Sequence, residues 1–311
     1  MSSITDGPPP WLSMADATII YQYGERIVYQ IGDDYILKRT PRGPNTEAET
    51  HHFVALRTEI PVPRIYGEWL SPNRRHHFLL QQKIPGTTLG AAWPRLSKPD
   101  KLRLARQVDA MMARLGRFED TRMQTIAETR LPNNAFVPHP ADPPGLPYLS
   151  GRWRTDAAIF DNEFLPALSR AGVTAPLIRV LRRTMPPCDT DFVFTHGDLY
   201  VGNVMVDPVR VKVTGIIDWE SAGFWPEWFQ YARITYGVNR DDVEWKRLLS
   251  RLQRERGTIK YADQGRVWWD AVATLLGDPE SERARLWLRL LVDFLKGNVG
   301  VWTLREYRKL R

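Results

Sequence analysis

The chain has a single cysteine, Cys188, in 311 residues, so neither an intrachain disulfide nor a cysteine-rich zinc site can form. It has no run of about 18 uncharged apolar residues of the kind a membrane span needs. The most apolar late segment, LWLRLLVDFLKGNVGVW, is interrupted by Arg289, Asp293 and Lys296 and reads as a core helix. The N-terminus, MSSITDGPPPW, shows no basic patch followed by an apolar run, the pattern of a secretory signal. These absences make a cytoplasmic location the expectation, with no membrane partner. No internal repeat or low-complexity tract is visible.

What is present is close to average for a folded, water-soluble protein: 43% hydrophobic and 25% charged residues, with 12 Trp, 11 Tyr and 11 Phe. The length allows two domains or one large one. A net charge of +7 suits an anionic ligand such as a nucleotide. The basic residues are nevertheless scattered, as in Arg103, Arg106, Arg114 and Arg117, or Arg251, Arg254 and Arg256, at the spacing of solvated helix faces. No nucleic-acid partner is expected.

ERIVYQIGDDYILKR reads as two strands joined at Gly32-Asp33-Asp34, with Lys38 at the end of the second. EAETHHFVALRTE follows as a helix with Ala48, Phe53, Val54 and Leu56 on one face. The prolines of IPVPRIYGEWL end it, and HHFLLQQKI is a strand stopped by Pro85-Gly86. From LSKPDKLRLARQVDAMMARLGRF the pattern turns helical, with Leu104, Val108, Met111, Met112 and Leu115 at three-to-four spacing. Residues 131–150 hold six prolines and read as a surface loop. Two helices are expected at about 160–171 and 175–184, and a helical remainder after about 226.

FTHGDLYVGNVMVD places a histidine, two acids and an asparagine inside an apolar frame, and VKVTGIIDWE is a second strand-like run ending in a carboxylate. Two strands of one small sheet would bring Asp198, Asn203 and Asp218 together. A carboxylate and an amide oxygen are the hard ligands magnesium takes, which suits Asp218 and Asn203. Asp198 is then left to orient a substrate hydroxyl. The chemistry this set points to is phosphoryl transfer.

HGDLYVGN with IIDWE resembles the catalytic and metal-binding segments of the aminoglycoside phosphotransferase and choline kinase family, whose fold is protein-kinase-like. Within it the chain looks most like fungal proteins with a phosphotransferase-family domain, where THGDL, GIIDWESAG and IPVPR recur. The resemblance covers about residues 20–300. It implies an α+β, two-lobed fold: a small antiparallel-sheet N-lobe at 17–85 that binds nucleotide, and a larger, mainly helical C-lobe at 86–311. It implies ATP, or GTP, with Mg²⁺ as cofactors, and a small-molecule hydroxyl as acceptor. Asp198 would be the catalytic acid-base residue, supported by His196, with Asn203 and Asp218 as metal ligands. Lys38 would contact the phosphates and pair with Glu49, favoured over Glu47 by counting back from IPVPR. The backbone near Gln82 to Ile84 would meet adenine.

The departures are as specific. YQYGERIVYQIG has Gly24 and Gly32 but no GxGxxG, so phosphate cover falls to a plainer hairpin. Gln230 stands where relatives often carry an acid. Asp156, Asp161 and Glu163 are candidates for an amine-binding wall or a solvated helix start, the latter preferred. Trp219, Phe224, Trp225, Trp228 and Phe229 are expected to pack as core. A non-catalytic binding or scaffold protein on the same fold is the alternative function.

Overall fold

In RIVYQI the alternate residues Ile27 and Ile31 are buried, which makes Arg26–Ile31 a strand, β2, with one face on a core. A turn at Gly32, whose φ of +56° favours glycine, leads back into β3, Tyr35–Pro41. The register pairs Val28 with Lys38 and Gln30 with Ile36, so Lys38 and Val28 share a sheet face. Before them β1, Ala17–Tyr23, pairs with β2 from the sheet edge. Ile19, Ile20, Tyr21 and Tyr23 are all more than half exposed, so β1 has no buried alternation and is invisible to a pattern search. Helix α1, Glu47–Arg57, buries Ala48, His51 and Val54. β4, Ile65–Leu70, and β5, His76–Gln82, complete an antiparallel sheet of order β1-β2-β3-β5-β4.

The structure, a computed structural model, describes residues 5, 7–43, 45–132, 149–188, 192–233, 238–257 and 261–295. Beyond the first sheet lie β6, Thr87–Thr88, and α2, Leu89–Ala92, then the long α3, Lys98–Leu115. Ser97 caps α3 by accepting from Asp100 N, and Leu104, Ala105, Val108, Met112 and Leu115 form its buried stripe. Short strands β7, Glu119–Asp120, β8, Leu131–Pro132, and β9, Leu149–Ser150, follow. The proline-rich stretch between β8 and β9 lies outside the described residues. Next come α4, Asp156–Ile159, a π-helical turn at Phe160–Phe164, α5, Leu165–Arg170, and α6, Ala175–Thr184. Strands β10, Phe192–Thr195, β11, Val204–Asp207, β12, Lys212–Ile216, and β13, Gly223–Pro226, carry the site. Helices α7, Glu227–Arg233, α8, Arg240–Arg256, α9, Ala262–Gly277, and α10, Glu282–Leu295, follow among the described residues. The architecture is thus α+β in two lobes, a small antiparallel sheet with one helix and a larger, mainly helical body.

The larger lobe is packed on tryptophan: Trp93, Trp219, Trp225, Trp228, Trp245, Trp268 and Trp287 are all fully buried. Trp219, Phe224, Trp225, Trp228 and Phe229 are therefore core, with Trp225 stacked on Phe229 at 4.4 Å. Of the acids expected at a solvated helix start, Glu163 departs from that reading. Asp161 pairs with Arg182, while the Glu163 carboxylate is buried, accepting from Trp153 Nε1 at 2.5 Å and Gly151 N at 3.0 Å. Nor is Arg256 merely a solvated helix residue, since it ties α8 to α3 through Asp109 at 2.9 Å. Among the described residues no helix is long and apolar enough to cross a membrane.

Candidate active site

β10 and β11 are not neighbours. β10 pairs with β7 and β13, whereas β11 lies between β6 and β12. β11 and β12 pair in one sheet, as expected, and set Asn203 beside the segment that leads to Asp218, Ile217 N donating to Asn203 O at 3.0 Å, while residues 196–203 carry Asp198 across the seam between the two sheets. Gly197 makes the crossing possible: at φ +79°, its missing Cβ would stand 2.3 Å from Ser221 O. Only glycine lets this loop close against the turn that follows Asp218.

His196 is fully buried and fixes the loop from inside. Asp198 N donates to its Nδ1 at 3.2 Å, and its Nε2 lies 3.0 Å from the Ile217 carbonyl. A neutral ring with the proton on Nε2 satisfies both contacts. Burial holds its pKa below the ordinary histidine value, against the pull of Asp198 and the Ile217 carbonyl. One ring therefore links Asp198 to the segment carrying Asp218. Asn203, 3% exposed, donates from Nδ2 to the Asp198 carbonyl at 2.8 Å and faces Asp198 Oδ2 at 3.4 Å. Its amide oxygen is the atom it can offer a cation.

The outer side of the loop is braced by α8 and α2. Asp242, fully buried, accepts from Val201 N at 3.0 Å, and Gly90 N donates to Val201 O at 2.9 Å. Lys246 neutralises Asp242 at 2.9 Å. Asp242→Ala removes one partner of a buried ion pair and is expected to cost about 3–5 kcal/mol, read as a lower urea midpoint. An unchanged midpoint would remove Asp242 from the bracing of the loop. Thr195, at the end of β10, donates its hydroxyl to Gln230, so the amide in place of an acid serves the strand that leads into His196.

Asp218 adopts left-handed backbone, φ +66°, at the start of the 3₁₀ turn Trp219–Ser221. Its Oδ1 lies 2.7 Å from Lys38 Nζ, and Lys38 also reaches Glu47 Oε1 at 2.6 Å. The lysine partner is thus Glu47, not Glu49. Glu47 opens α1 and is 1% exposed, whereas Glu49 lies about 200° further round the helix. Burial alone would lower the lysine pKa, but Asp218, Glu47 and Glu220 outweigh it and hold the ammonium above its ordinary value. Burial raises the Glu47 carboxyl, and Lys38 with His51 more than reverses that.

Glu47, Asp218 and Glu220 each present an oxygen within 4.8 Å of the others. Glu220, in IIDWE, carries no signal of a role in the sequence alone. Its carboxylate accepts from both terminal nitrogens of Arg26, on β2, at 2.6 and 2.7 Å. Burial and Asp218 push the Glu220 pKa up, opposed by Arg26. The three acids face two cations here, leaving excess negative charge before Asp198 is counted. All-oxygen donors with excess negative charge are the chemistry a hard divalent cation takes. At the segment joining the lobes, Gln82 N and Lys83 N donate to Arg64 O and Asp34 O, at 2.8 and 2.7 Å. Of the stretch expected to meet adenine, those two N–H groups are therefore already engaged, and Ile84 is buried.

Known proteins share the sequence family and the fold of this chain. The phosphotransferase enzyme family model matches residues 24–262. An aminoglycoside 3'-phosphotransferase of Streptomyces fradiae is 28% identical over 188 residues, 58% of this chain and 62% of that protein. The chain thus matches somewhat less than two thirds of that relative's length. An aminoglycoside-3'-phosphotransferase of type VIII superposes with a TM-score of 0.52 at 19% identity, over 83% of this chain and 93% of that one. A thermostable mutant of aminoglycoside phosphotransferase APH(4)-Ia, in ternary complex with AMP-PNP and hygromycin B, gives 0.54 at 16%, over 94% and 97%. The GDP complex of wild-type aminoglycoside 2'-phosphotransferase-IIIa gives 0.52 at 15%, over 93% of each. With the match covering well over half of its length, this chain belongs to the phosphotransferase enzyme family.

Proposed function

We propose that this protein transfers a phosphoryl group from ATP or GTP, with magnesium, to a hydroxyl of a small molecule. The observation that carries the reading is the lysine held between Glu47 and Asp218, at 2.6 and 2.7 Å, beside a loop in which His196 and Asn203 fix Asp198. Lys38 keeps its charge in this setting and would neutralise phosphate oxygens. Asp198 would accept a hydrogen bond from the acceptor hydroxyl and take its proton as the oxygen attacks. Asn203, Asp218 and Glu220 are the residues that would hold magnesium, which supplies charge neutralisation on the phosphates when bound. Support for a nucleoside triphosphate donor comes from relatives crystallised with AMP-PNP and with GDP. A polycationic acceptor fits poorly with a chain of net charge +7 whose Asp161 and Glu163 are engaged elsewhere.

Calorimetric titration with ATP and with GTP, each with and without magnesium, tests the reading. Magnesium-dependent binding in the wild type, lost in Asp218→Ala, is the expected result. Binding of neither nucleotide under any condition would overturn it and leave a non-catalytic binding protein on the same fold.

A further inference from the structure

We infer that Arg26 contacts the phosphates of the bound nucleotide, and that its pair with Glu220 is the resting position of a guanidinium that moves onto the triphosphate. This inference rests on the nucleotide site proposed above. The hairpin that joins β1 to β2 is short. Tyr23 pairs with Arg26 across the strands, so only Gly24 and Glu25 remain in the turn. A two-residue turn lacks the run of backbone N–H groups with which a glycine-rich loop cradles phosphate. A side chain has to supply that contact, and the hairpin end offers one.

Alternation along β2 places Arg26 on the face that carries Val28, and the register pairs Val28 with Lys38. Arg26 therefore looks into the same cleft as the lysine. Its guanidinium is already shaped around two oxygens, at 2.6 and 2.7 Å from the Glu220 carboxylate. The same planar fork fits two oxygens of a phosphate. Glu220 in turn belongs to the carboxylate group with Glu47 and Asp218, within 4.8 Å, beside which the phosphates would lie. The two side chains are 37% and 31% exposed, so an incoming phosphate can reach the guanidinium from solvent and take the place of the carboxylate.

The test is calorimetry of wild type, Arg26→Ala, Arg26→Lys and Glu220→Gln with adenosine, ADP and ATP, each with magnesium and again in EDTA. The expected result for Arg26→Ala is ATP binding at least tenfold weaker with adenosine binding unchanged. Arg26→Lys, which keeps the charge without the fork, should fall between. Glu220→Gln in EDTA should bind ATP more tightly than wild type, because the carboxylate no longer competes for the guanidinium. If Arg26→Ala binds ATP as the wild type does and only its melting temperature falls, Arg26 is an interlobe strut and the inference is wrong. Failure of the wild type to bind any nucleotide would instead remove the nucleotide site itself, and this inference with it.

Discussion

Asp198→Ala is expected to lower turnover by about 10²–10⁴-fold, the usual contribution of a positioned acid-base group, while leaving nucleotide affinity intact. The separation follows from where the side chain is held. Asp198 is fixed through its own backbone, its N–H on His196 and its carbonyl on Asn203. Removing the carboxylate therefore leaves these two backbone contacts in place, although the longer contact of Oδ2 with Asn203 Nδ2, at 3.4 Å, is lost. Lys38, Glu47 and Asp218 form a separate set of contacts that the substitution does not touch. Asp198→Asn sharpens the experiment, since it retains volume and hydrogen-bonding shape but cannot take a proton. If acceptor alignment alone mattered, Asn would recover most of the rate lost in Ala. If proton transfer matters, both variants fall together. Turnover in Asp198→Ala equal to wild type would remove Asp198 from the mechanism.

The sequence made some of this legible because the relevant signals are local. The β2–β3 hairpin shows in alternation around Gly32, and α3 shows in the apolar spacing between Leu104 and Leu115. The two polar segments that carry Asp198 and Asp218 stand out because charged residues interrupt apolar strands. What stayed hidden depends on partners distant in the chain. β1 is an exposed edge strand, recognisable only by what it pairs with. Glu47 and Glu49 are equally good partners by composition, and only the orientation of α1 against the sheet selects Glu47. Glu220 gains its meaning from Arg26, 194 positions earlier. Asp242 reads as an acid at a helix start, and its contact with Val201 spans 41 residues.

Lys38→Met is expected to cost about 3–5 kcal/mol of stability, because it leaves a buried acid without its cation. Lys38 is 13% exposed and Glu47 2%, with His51 at 3.5 Å as the nearest remaining basic group. The pH dependence identifies the cause. In the wild type the Glu47 carboxyl is held below its ordinary value of 4.5. The pair's contribution is therefore complete above that value and is lost as pH falls through the depressed one. In Lys38→Met, burial is no longer offset by the ammonium, so the carboxyl shifts upward and takes a proton more readily. The variant's penalty should shrink on acidification, and the gap in melting temperature between the two proteins should be narrower at about pH 5 than at about pH 8. A gap equal at both would mean that lost side-chain packing, not an uncompensated charge, destabilises the variant. A narrowing gap would show that the lysine is held in place by the same charges that equip it to meet phosphate.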